Sequence, residues 1–202
     1  MRGLYAITRD DFISSDTLLD DVACALAGGA AAIQYRDKKS PLAVREEAAA
    51  TLTALCHEQG AMLIINDDVE LAKKVNADGV HLGKTDMTLA HAREYLGMRK
   101  VIGVSCYNDI KLAQLAVIGG ADYVAFGRFF PSRTKPQTVE VSIDILKDAR
   151  RQIAVPIVAI GGITAQNGVP LIDAGADMLA VIDGVFGQQD ITRAASEIAA
   201  LF

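Results

Sequence analysis

Eight short apolar runs are spread along the whole chain, and their number and spacing limit the folds that it can adopt. They are LYAIT (Leu4–Thr8), AAIQY (Ala31–Tyr35), MLIIN (Met62–Asn66), GVHL (Gly79–Leu82), VIGVS (Val101–Ser105), YVAFG (Tyr123–Gly127), IVAIG (Ile157–Gly161) and MLAVI (Met178–Ile182). Most are almost continuously apolar, which is typical of strands in a parallel sheet that helices cover from outside. The sequence therefore predicts eight buried parallel strands.

The segments between these runs have helical spacing, as in the last one, where the apolar residues Ile191, Ala195, Ile198 and Phe202 share one helical face. A unit of small residues, in most copies ending in Asp, precedes several strands. Its copies begin at Gly28, Asn76, Gly120 and Gly175. Such a recurring helix stop before each strand indicates an array of β–α units.

Eight β–α units in 202 residues predict a single (β/α)8 TIM barrel, an α/β fold that occupies residues 1–202 as one domain. No linker or low-complexity tract divides the chain. An open doubly wound sheet is the alternative. It is disfavoured because no glycine-rich dinucleotide fingerprint follows the first run.

The composition narrows the classes of partner. The net charge of −5 disfavours nucleic acid, whose phosphate backbone requires a basic surface. No apolar run reaches the ~18 residues that a membrane span requires, and the N-terminus lacks the apolar core of a signal peptide. Three cysteines without metal-ligand spacing indicate reduced thiols. We expect a cytoplasmic protein that binds neither nucleic acid nor membrane. Assembly into a homo-oligomer is compatible with the composition but is not indicated by it.

Charged side chains follow several of the predicted strands, where the active sites of such barrels form. Arg36, Lys38 and Lys135 are cations, and Asp67 and Asp86 are carboxylates from neighbouring loops. Arginine and lysine bind phosphate groups, and Mg2+ prefers one or two carboxylates together with phosphate oxygens. The pattern predicts a diphosphate site with one Mg2+ ion per subunit.

Other positions carry weaker signals. Gly161-Gly162 suits a second phosphate held by backbone N–H groups, as late barrel loops commonly do. The polar segment 127–138 is long for a βα loop and is interpreted either as a lid or as an ordered loop. His81 lies within the fourth run, where a lone histidine is expected to be a hydrogen-bonded core residue.

Several ordered stretches resemble one family over nearly the whole chain. They are LYAIT at Leu4, IQYRDK at Ile33, INDD at Ile65, GVHLGKTDM at Gly79, IGVS at Ile102, ADYVAFGRFFPSRTKP at Ala121 and VAIGGIT at Val158. In this order they resemble the thiamine phosphate synthase family. The resemblance implies a Mg2+-dependent transferase that joins a pyrimidine diphosphate to a thiazole phosphate, with release of diphosphate.

The resemblance also implies roles for individual residues. The pyrimidine diphosphate would be bound by Gln34, Tyr35, Arg36, Asp37, Lys38, Asn66, Ser105 and Lys135, of which Arg36, Lys38, Lys135 and Ser105 would be catalytic. The metal would be held by Asp67 and Asp86. The thiazole phosphate would be bound by Ser132, Arg133, Thr134, Gly162, Ile182 and Asp183.

Two positions depart from the family pattern, since Asp183 stands where many members have a small serine and Arg133 where the residue is often uncharged. A carboxylate beside a phosphate is repulsive unless it points away or is compensated. Our hypothesis is that backbone N–H groups bind the phosphate and that Arg133 offsets Asp183.

Three other functions fit parts of the pattern. A thiazole tautomerase resembles the family closely but needs no diphosphate or metal site. A non-catalytic barrel that binds thiazole or thiamine phosphate would not turn over substrate. A phosphate-sugar isomerase would need an acid–base pair, which the predicted strand ends do not supply. The full set of cations and carboxylates favours the synthase.

Overall fold

A computed structural model describes residues 1–10, 15–131 and 141–202 of the protein. The strands are β1 (Gly3–Ile7), β2 (Ala30–Tyr35), β3 (Met62–Asn66), β4 (Gly79–Leu82), β5 (Val101–Tyr107), β6 (Tyr123–Gly127), β7 (Ile157–Ile160) and β8 (Met178–Val181). The helices are α1 (Ser15–Ala27), α2 (Leu42–Glu58), α3 (Val69–Lys74), α4 (Leu89–Leu96), α5 (Ile110–Ile118), α6 (Asp144–Arg150), α7 (Val169–Asp173), α8 (Asp183–Phe186) and α9 (Ile191–Ala199).

The strands form a closed parallel barrel in chain order, and β1 pairs with β8 to complete the ring. The predicted (β/α)8 barrel is therefore confirmed, and the alternative open sheet is wrong. Each predicted run coincides with a strand to within two residues at either end. Within the described ranges, no helix has the length and apolar character needed to cross a bilayer.

Alternate residues along the strands pack into two apolar layers, because successive strand side chains point to opposite faces. Residues such as Tyr5, Ile64 and Met178 fill the barrel interior. Others, such as Leu63 and Phe126, pack between the barrel and the surrounding helices. Both layers are buried, which explains why the strands are apolar almost without interruption.

The recurring unit before the strands has a structural role that the sequence alone did not reveal. In three of its copies the final aspartate is Asp78, Asp122 or Asp177. Each carboxylate accepts a hydrogen bond from a backbone N–H at the start of the preceding strand. Asp78 accepts from Leu63 at 2.8 Å, Asp122 from Ile102 at 2.7 Å and Asp177 from Ile157 at 2.7 Å.

Each of these aspartates also pairs with a side chain at or near the end of the helix before that strand. Asp78 pairs with His57, Asp122 with Arg93 and Asp177 with Arg150. The unit therefore connects neighbouring strands at the end of the barrel opposite the predicted site.

We expect Asp122→Ala to lower the free energy of unfolding by about 2–3 kcal/mol, the usual cost of losing hydrogen bonds to a charged group. The carboxylate of Asp122 accepts from the buried Ile102 N–H at 2.7 Å and from Arg93 at 2.5 Å. Urea unfolding measures the change. Asp148→Ala is the matched control, since Asp148 is exposed and pairs with exposed Arg151, and it should cost less than about 0.5 kcal/mol. Equal losses in both variants would contradict a special role for Asp122.

Candidate active site

The carboxyl ends of β1 and β2 are joined around Arg36. Its guanidinium forms an ion pair with Asp10, and both side chains are largely buried. Its backbone N–H donates to the hydroxyl of Thr8 at 2.8 Å, and that hydroxyl donates back to the Arg36 carbonyl at 3.2 Å. The structure thus fixes Arg36 at the mouth of the barrel. Asp10 was not predicted, although it lies only two residues after the first apolar run.

Lys38, Asp67 and Asp86 form a second charged cluster beside this pair. The ammonium of Lys38 lies 2.7 Å from the Asp67 carboxylate, and Asp86 accepts the backbone N–H of Gly83 at 2.6 Å. The two carboxyl groups are close enough for each to shift the pKa of the other. Asp67 has a φ of 64°, an uncommon backbone conformation for a residue other than glycine, and such strain is frequent at functional sites.

The interaction between Asp67 and Asp86 shifts their pKa values in opposite directions. Burial opposes ionisation of Asp67, but hydrogen bonds from Lys38, Asp86 and Asn66 outweigh it and hold the pKa of Asp67 below its ordinary value. Burial and the contact with Asp67 raise the pKa of Asp86. Two crowded carboxyl groups with opposite shifts are expected where like charges meet. A divalent cation would relieve that repulsion.

The donor set at the cluster fits Mg2+. Within residues 1–10, 15–131 and 141–202, no group of three or more His, Cys, Asp or Glu side chains could hold a metal on its own. Mg2+ needs no such group, because it usually binds one or two carboxylates and completes its shell with water and substrate phosphate. Asp67 and Asp86 are therefore the residues that could hold it.

A continuous series of polar side chains, the barrel polar chain, crosses the barrel interior below the mouth. Its members are Gln34, Tyr5, Tyr123, His81 and Ser105. The consecutive contacts are 2.8 Å from the Gln34 amide nitrogen to the Tyr5 oxygen, 2.8 Å between the two phenol oxygens, 2.9 Å from Tyr123 to His81 Nδ1 and 2.8 Å from His81 Nε2 to Ser105 Oγ. The prediction that His81 is hydrogen-bonded is confirmed, and its side chain is partly buried rather than fully enclosed in the core. Tyr5 and Tyr123 were not singled out, because each stands inside an apolar run.

The loops after β6, β7 and β8 are in direct contact at the opposite side of the mouth. A Cβ atom on Gly162 would lie 2.3 Å from the carbonyl oxygen of Pro131, and one on Gly184 would lie 2.4 Å from that of Ile163. Gly162 also has a φ of 62°, so side chains are disfavoured there for two reasons. The amide of Asn167 donates to the Gly162 carbonyl at 3.0 Å. Backbone from the second predicted phosphate site is thus brought together and held in place.

Asp183 begins α8, directly after Ile182 at the end of β8. Its carboxylate lies 4.0 Å from Arg9 Nε, and another nitrogen of Arg9 donates to the Phe186 carbonyl at 3.2 Å. Arg9 therefore places a positive charge beside Asp183. The predicted compensating residue, Arg133, lies outside the described residues, and Arg9 was not predicted.

Four predicted site residues, Ser132, Arg133, Thr134 and Lys135, lie outside the described residues, as does most of the proposed lid segment 127–138. The residues that flank them are described. The Phe130 N–H donates to the Gly161 carbonyl at 3.1 Å, and the Val141 N–H donates to the Arg128 carbonyl at 2.8 Å. The described residues on either side of 132–140 are therefore held by backbone hydrogen bonds, and the choice between lid and ordered loop stays a prediction.

Three polar residues near the site form hydrogen bonds or ion pairs with other groups of the protein. Asp37 accepts the backbone N–H groups of Lys39 and Ser40 at 2.9 and 3.0 Å. The Tyr35 ring packs in the outer core, and its hydroxyl donates to Asp37 at 3.3 Å. Asp68 caps α3 and pairs with Arg45. Their geometry indicates that they order the loops that carry Arg36, Lys38 and Asp67, while ligand binding by Tyr35 and Asp37 stays a prediction.

The fold and the site together define a class. A (β/α)8 barrel with cations and paired carboxylates at one side of its mouth, and with glycines in the loops after β7 and β8 at the other, has the features of a barrel that binds phosphate groups. The profile of the family described as thiamine monophosphate synthase matches residues 4–185. The chain therefore belongs to the thiamine monophosphate synthase family.

Individual relatives agree with this placement. The chain is 52% identical to the thiamine-phosphate synthase of Thiobacillus denitrificans over 99% of its own length and 94% of the relative's. It is 49% identical to that of Nitrosococcus oceani over 97% and 90%. It superimposes on the thiamine phosphate pyrophosphorylase of Pyrococcus furiosus with a TM-score of 0.89 and 35% identity, covering 98% and 94% of the two chains.

Proposed function

We propose that the protein is a thiamine-phosphate synthase that requires Mg2+. It joins 4-amino-2-methyl-5-(diphosphooxymethyl)pyrimidine to 4-methyl-5-(2-phosphooxyethyl)thiazole and releases diphosphate. Membership of the family supports the transferase reaction. The observation that carries the assignment of the site is the cluster of Lys38, Asp67 and Asp86 beside Arg36, since a diphosphate needs cations and a metal at one place.

The reaction breaks the bond between the pyrimidine CH2 carbon and the diphosphate oxygen, and the thiazole nitrogen forms a new bond to that carbon. The electron-rich aminopyrimidine stabilises positive charge on the CH2 group, so bond breaking runs ahead of bond making. Arg36, Lys38 and Lys135 would stabilise the negative charge that grows on the departing diphosphate. No nucleophilic serine or cysteine is required.

Asp67 and Asp86 would hold one Mg2+ ion per subunit, and the ion would neutralise diphosphate charge when bound. Lys38 already stabilises the ionised form of Asp67, which keeps that carboxylate available as a ligand. Gln34, Asn66 and Ser105 would orient the pyrimidine, with contributions from Tyr35 and Asp37 through the loop that they order.

The thiazole phosphate would bind at Gly162 and at the backbone of Ile182 and Asp183. The close packing of the loops after β7 and β8 supports this location, because it brings their backbone together. Arg9 would offset the charge of Asp183 in place of, or together with, Arg133. Ser132 directly follows Pro131, which contacts Gly162, and this supports a role for residues 132–134 in the same site.

The partners would be small phosphorylated molecules, and the working compartment would be the cytoplasm. All three cysteines, Cys24, Cys56 and Cys106, are outside disulfides, which is typical of a reducing compartment. A homo-oligomer is compatible with the proposal but is not required by it.

Product analysis tests the function directly. Incubation with both substrates and Mg2+ should give thiamine phosphate, detected by mass spectrometry, and omission of either substrate should abolish it. A thiazole tautomerase would change the thiazole compound without the pyrimidine, and a non-catalytic barrel would bind a substrate without making product. Either pattern would contradict the proposed function.

A further inference from the structure

The two described cations of the predicted diphosphate site are each already paired with a carboxylate. The ammonium of Lys38 lies 2.7 Å from the carboxylate of Asp67, and Arg36 forms its ion pair with Asp10. Each positive charge is matched by one negative charge, so these four side chains together carry no net charge. The described part of the site therefore offers an anion little net attraction until a further positive charge is present.

The two ion pairs differ in what could separate them. Asp67 is a candidate metal ligand, so Mg2+ would compete with Lys38 for it and leave that ammonium available to the diphosphate. Asp10 pairs with Arg36 alone among the residues that the structure describes, and it is not one of the two carboxylates that could hold the metal. Asp10 therefore neutralises Arg36 whether or not the metal is bound.

The contact between Asp10 and Arg36 is largely enclosed and only half satisfied. Their side chains are 22% and 18% exposed. Oδ2 of Asp10 accepts from Nη1 of Arg36, whereas Oδ1 is buried and has no hydrogen-bond partner in the described part of the chain. A buried acceptor without a partner costs stability, and arginine binds a carboxylate best through two parallel bonds. Stability alone therefore does not account for this pair.

We propose that Asp10 is a specificity-determining residue, which makes the binding of an anion at Arg36 depend on Mg2+ and excludes phosphate groups that arrive without the metal. A metal-free anion at Arg36 would meet the Asp10 carboxylate, a like charge in a largely buried position. The inference rests on the proposed function, since it concerns which form of the diphosphate that site accepts.

This arrangement discriminates by repulsion rather than by an added attraction. The Mg2+ complex of a diphosphate brings positive charge into the site, and that charge offsets the carboxylate of Asp10. A phosphate monoester holds Mg2+ less firmly, because it lacks the second phosphoryl group with which a diphosphate chelates the ion. It would therefore meet Asp10 without a compensating cation. Selective sites commonly combine favourable contacts with a repulsive group of this kind.

Binding of inorganic diphosphate tests the inference without turnover. Calorimetry gives its Kd at saturating Mg2+ and after a chelator has removed the metal, and the ratio of the two values measures the metal dependence. We expect metal-free binding to the wild-type protein to be about 100-fold weaker than binding with Mg2+. In Asp10→Asn we expect that ratio to fall by about tenfold or more, because the variant removes the like charge but keeps an acceptor for Arg36.

Three further variants separate the charge of Asp10 from its shape. Asp10→Glu keeps the charge and should keep most of the metal dependence. Asp10→Ser removes the charge and should lower the ratio as Asp10→Asn does, which preserves the test if one neutral variant does not fold. Asp148→Asn removes an exposed carboxylate on α6 and should leave the ratio unchanged. A merely structural role of Asp10 would weaken binding with and without Mg2+ alike.

The outcomes distinguish this inference from the proposed function. An unchanged Kd ratio in a folded neutral variant of Asp10, in a protein whose wild type makes thiamine phosphate, would overturn this inference alone. A wild-type protein that binds diphosphate equally well with and without Mg2+ would also overturn it. A wild-type protein that binds no diphosphate under either condition would overturn it as well, and if that protein makes no thiamine phosphate, the proposed function fails with it.

Discussion

Replacement of Asp67 by asparagine is expected to lower kcat/KM for the pyrimidine diphosphate by about 10²–10³ at saturating Mg2+, the range for loss of a preorganised charge. Asp67 is the carboxylate that both Lys38 and Asp86 contact, and its pKa is held below the ordinary value. It is thus ionised and available to a metal at neutral pH. Initial rates over a range of Mg2+ concentrations measure both the loss and the apparent metal affinity.

The apparent Mg2+ affinity separates a metal ligand from a loop-ordering residue. Asp67→Asn should raise the Mg2+ concentration needed for half-maximal rate, since the amide is a weaker ligand than the carboxylate. Asp148→Asn, on the exposed face of α6, is the matched control and should change neither quantity. Unchanged kcat/KM and Mg2+ dependence in Asp67→Asn would contradict the metal assignment.

Replacement of Arg36 by glutamine is the second change with a large expected effect, again about 10²–10³ in kcat/KM. The guanidinium is held at the mouth by Asp10 and by the Thr8 contacts to its backbone, so it is preorganised for the departing diphosphate. Steady-state kinetics with each substrate varied in turn measure the loss. The loss of kcat/KM should appear when the pyrimidine diphosphate is varied, whereas KM for the thiazole phosphate should stay nearly unchanged.

Asp10 offers an internal control for this prediction. Removing Arg36 alone leaves a largely buried carboxylate without its cation, which can distort the site. The double variant Arg36→Gln/Asp10→Asn removes that charge as well. If the loss of kcat/KM persists in the double variant, Arg36 acts on the substrate. Recovery to near wild-type activity would show that Arg36 only neutralises Asp10 and would contradict its catalytic role.

The strands were predictable because both of their faces are buried. Parallel strands between a filled interior and a layer of helices are apolar almost throughout, so each appears in the sequence as an uninterrupted run. The order of the strands followed from the repeated β–α unit. The function of the aspartate in that unit did not, since Asp122 bonds to Ile102 and Arg93, which lie 20 and 29 positions away in the sequence.

The site was predicted in part. Charged residues in the loops after the predicted strands gave Arg36, Lys38, Asp67 and Asp86, and the structure brings Lys38, Asp67 and Asp86 into one cluster. Asp10 follows the first run by the same rule and could have been found in this way.

Pairings between loops of different strands depend on the curvature of the barrel and on side-chain reach, and no local pattern encodes them. The ion pair of Arg36 with Asp10 and the approach of Arg9 to Asp183 are examples. The same holds for Tyr5 and Tyr123, which look like ordinary core aromatics until the structure places their hydroxyl groups 2.8 Å apart.

Diphosphate release, measured with both substrates in the presence of Mg2+ and after a chelator has removed the metal, tests the transferase reaction and its metal requirement together. We expect release that requires both substrates and the metal, and that returns when Mg2+ is restored in excess of the chelator. Release at the same rate without any divalent metal would contradict the roles assigned to Asp67 and Asp86. No release under any condition would contradict the transferase itself.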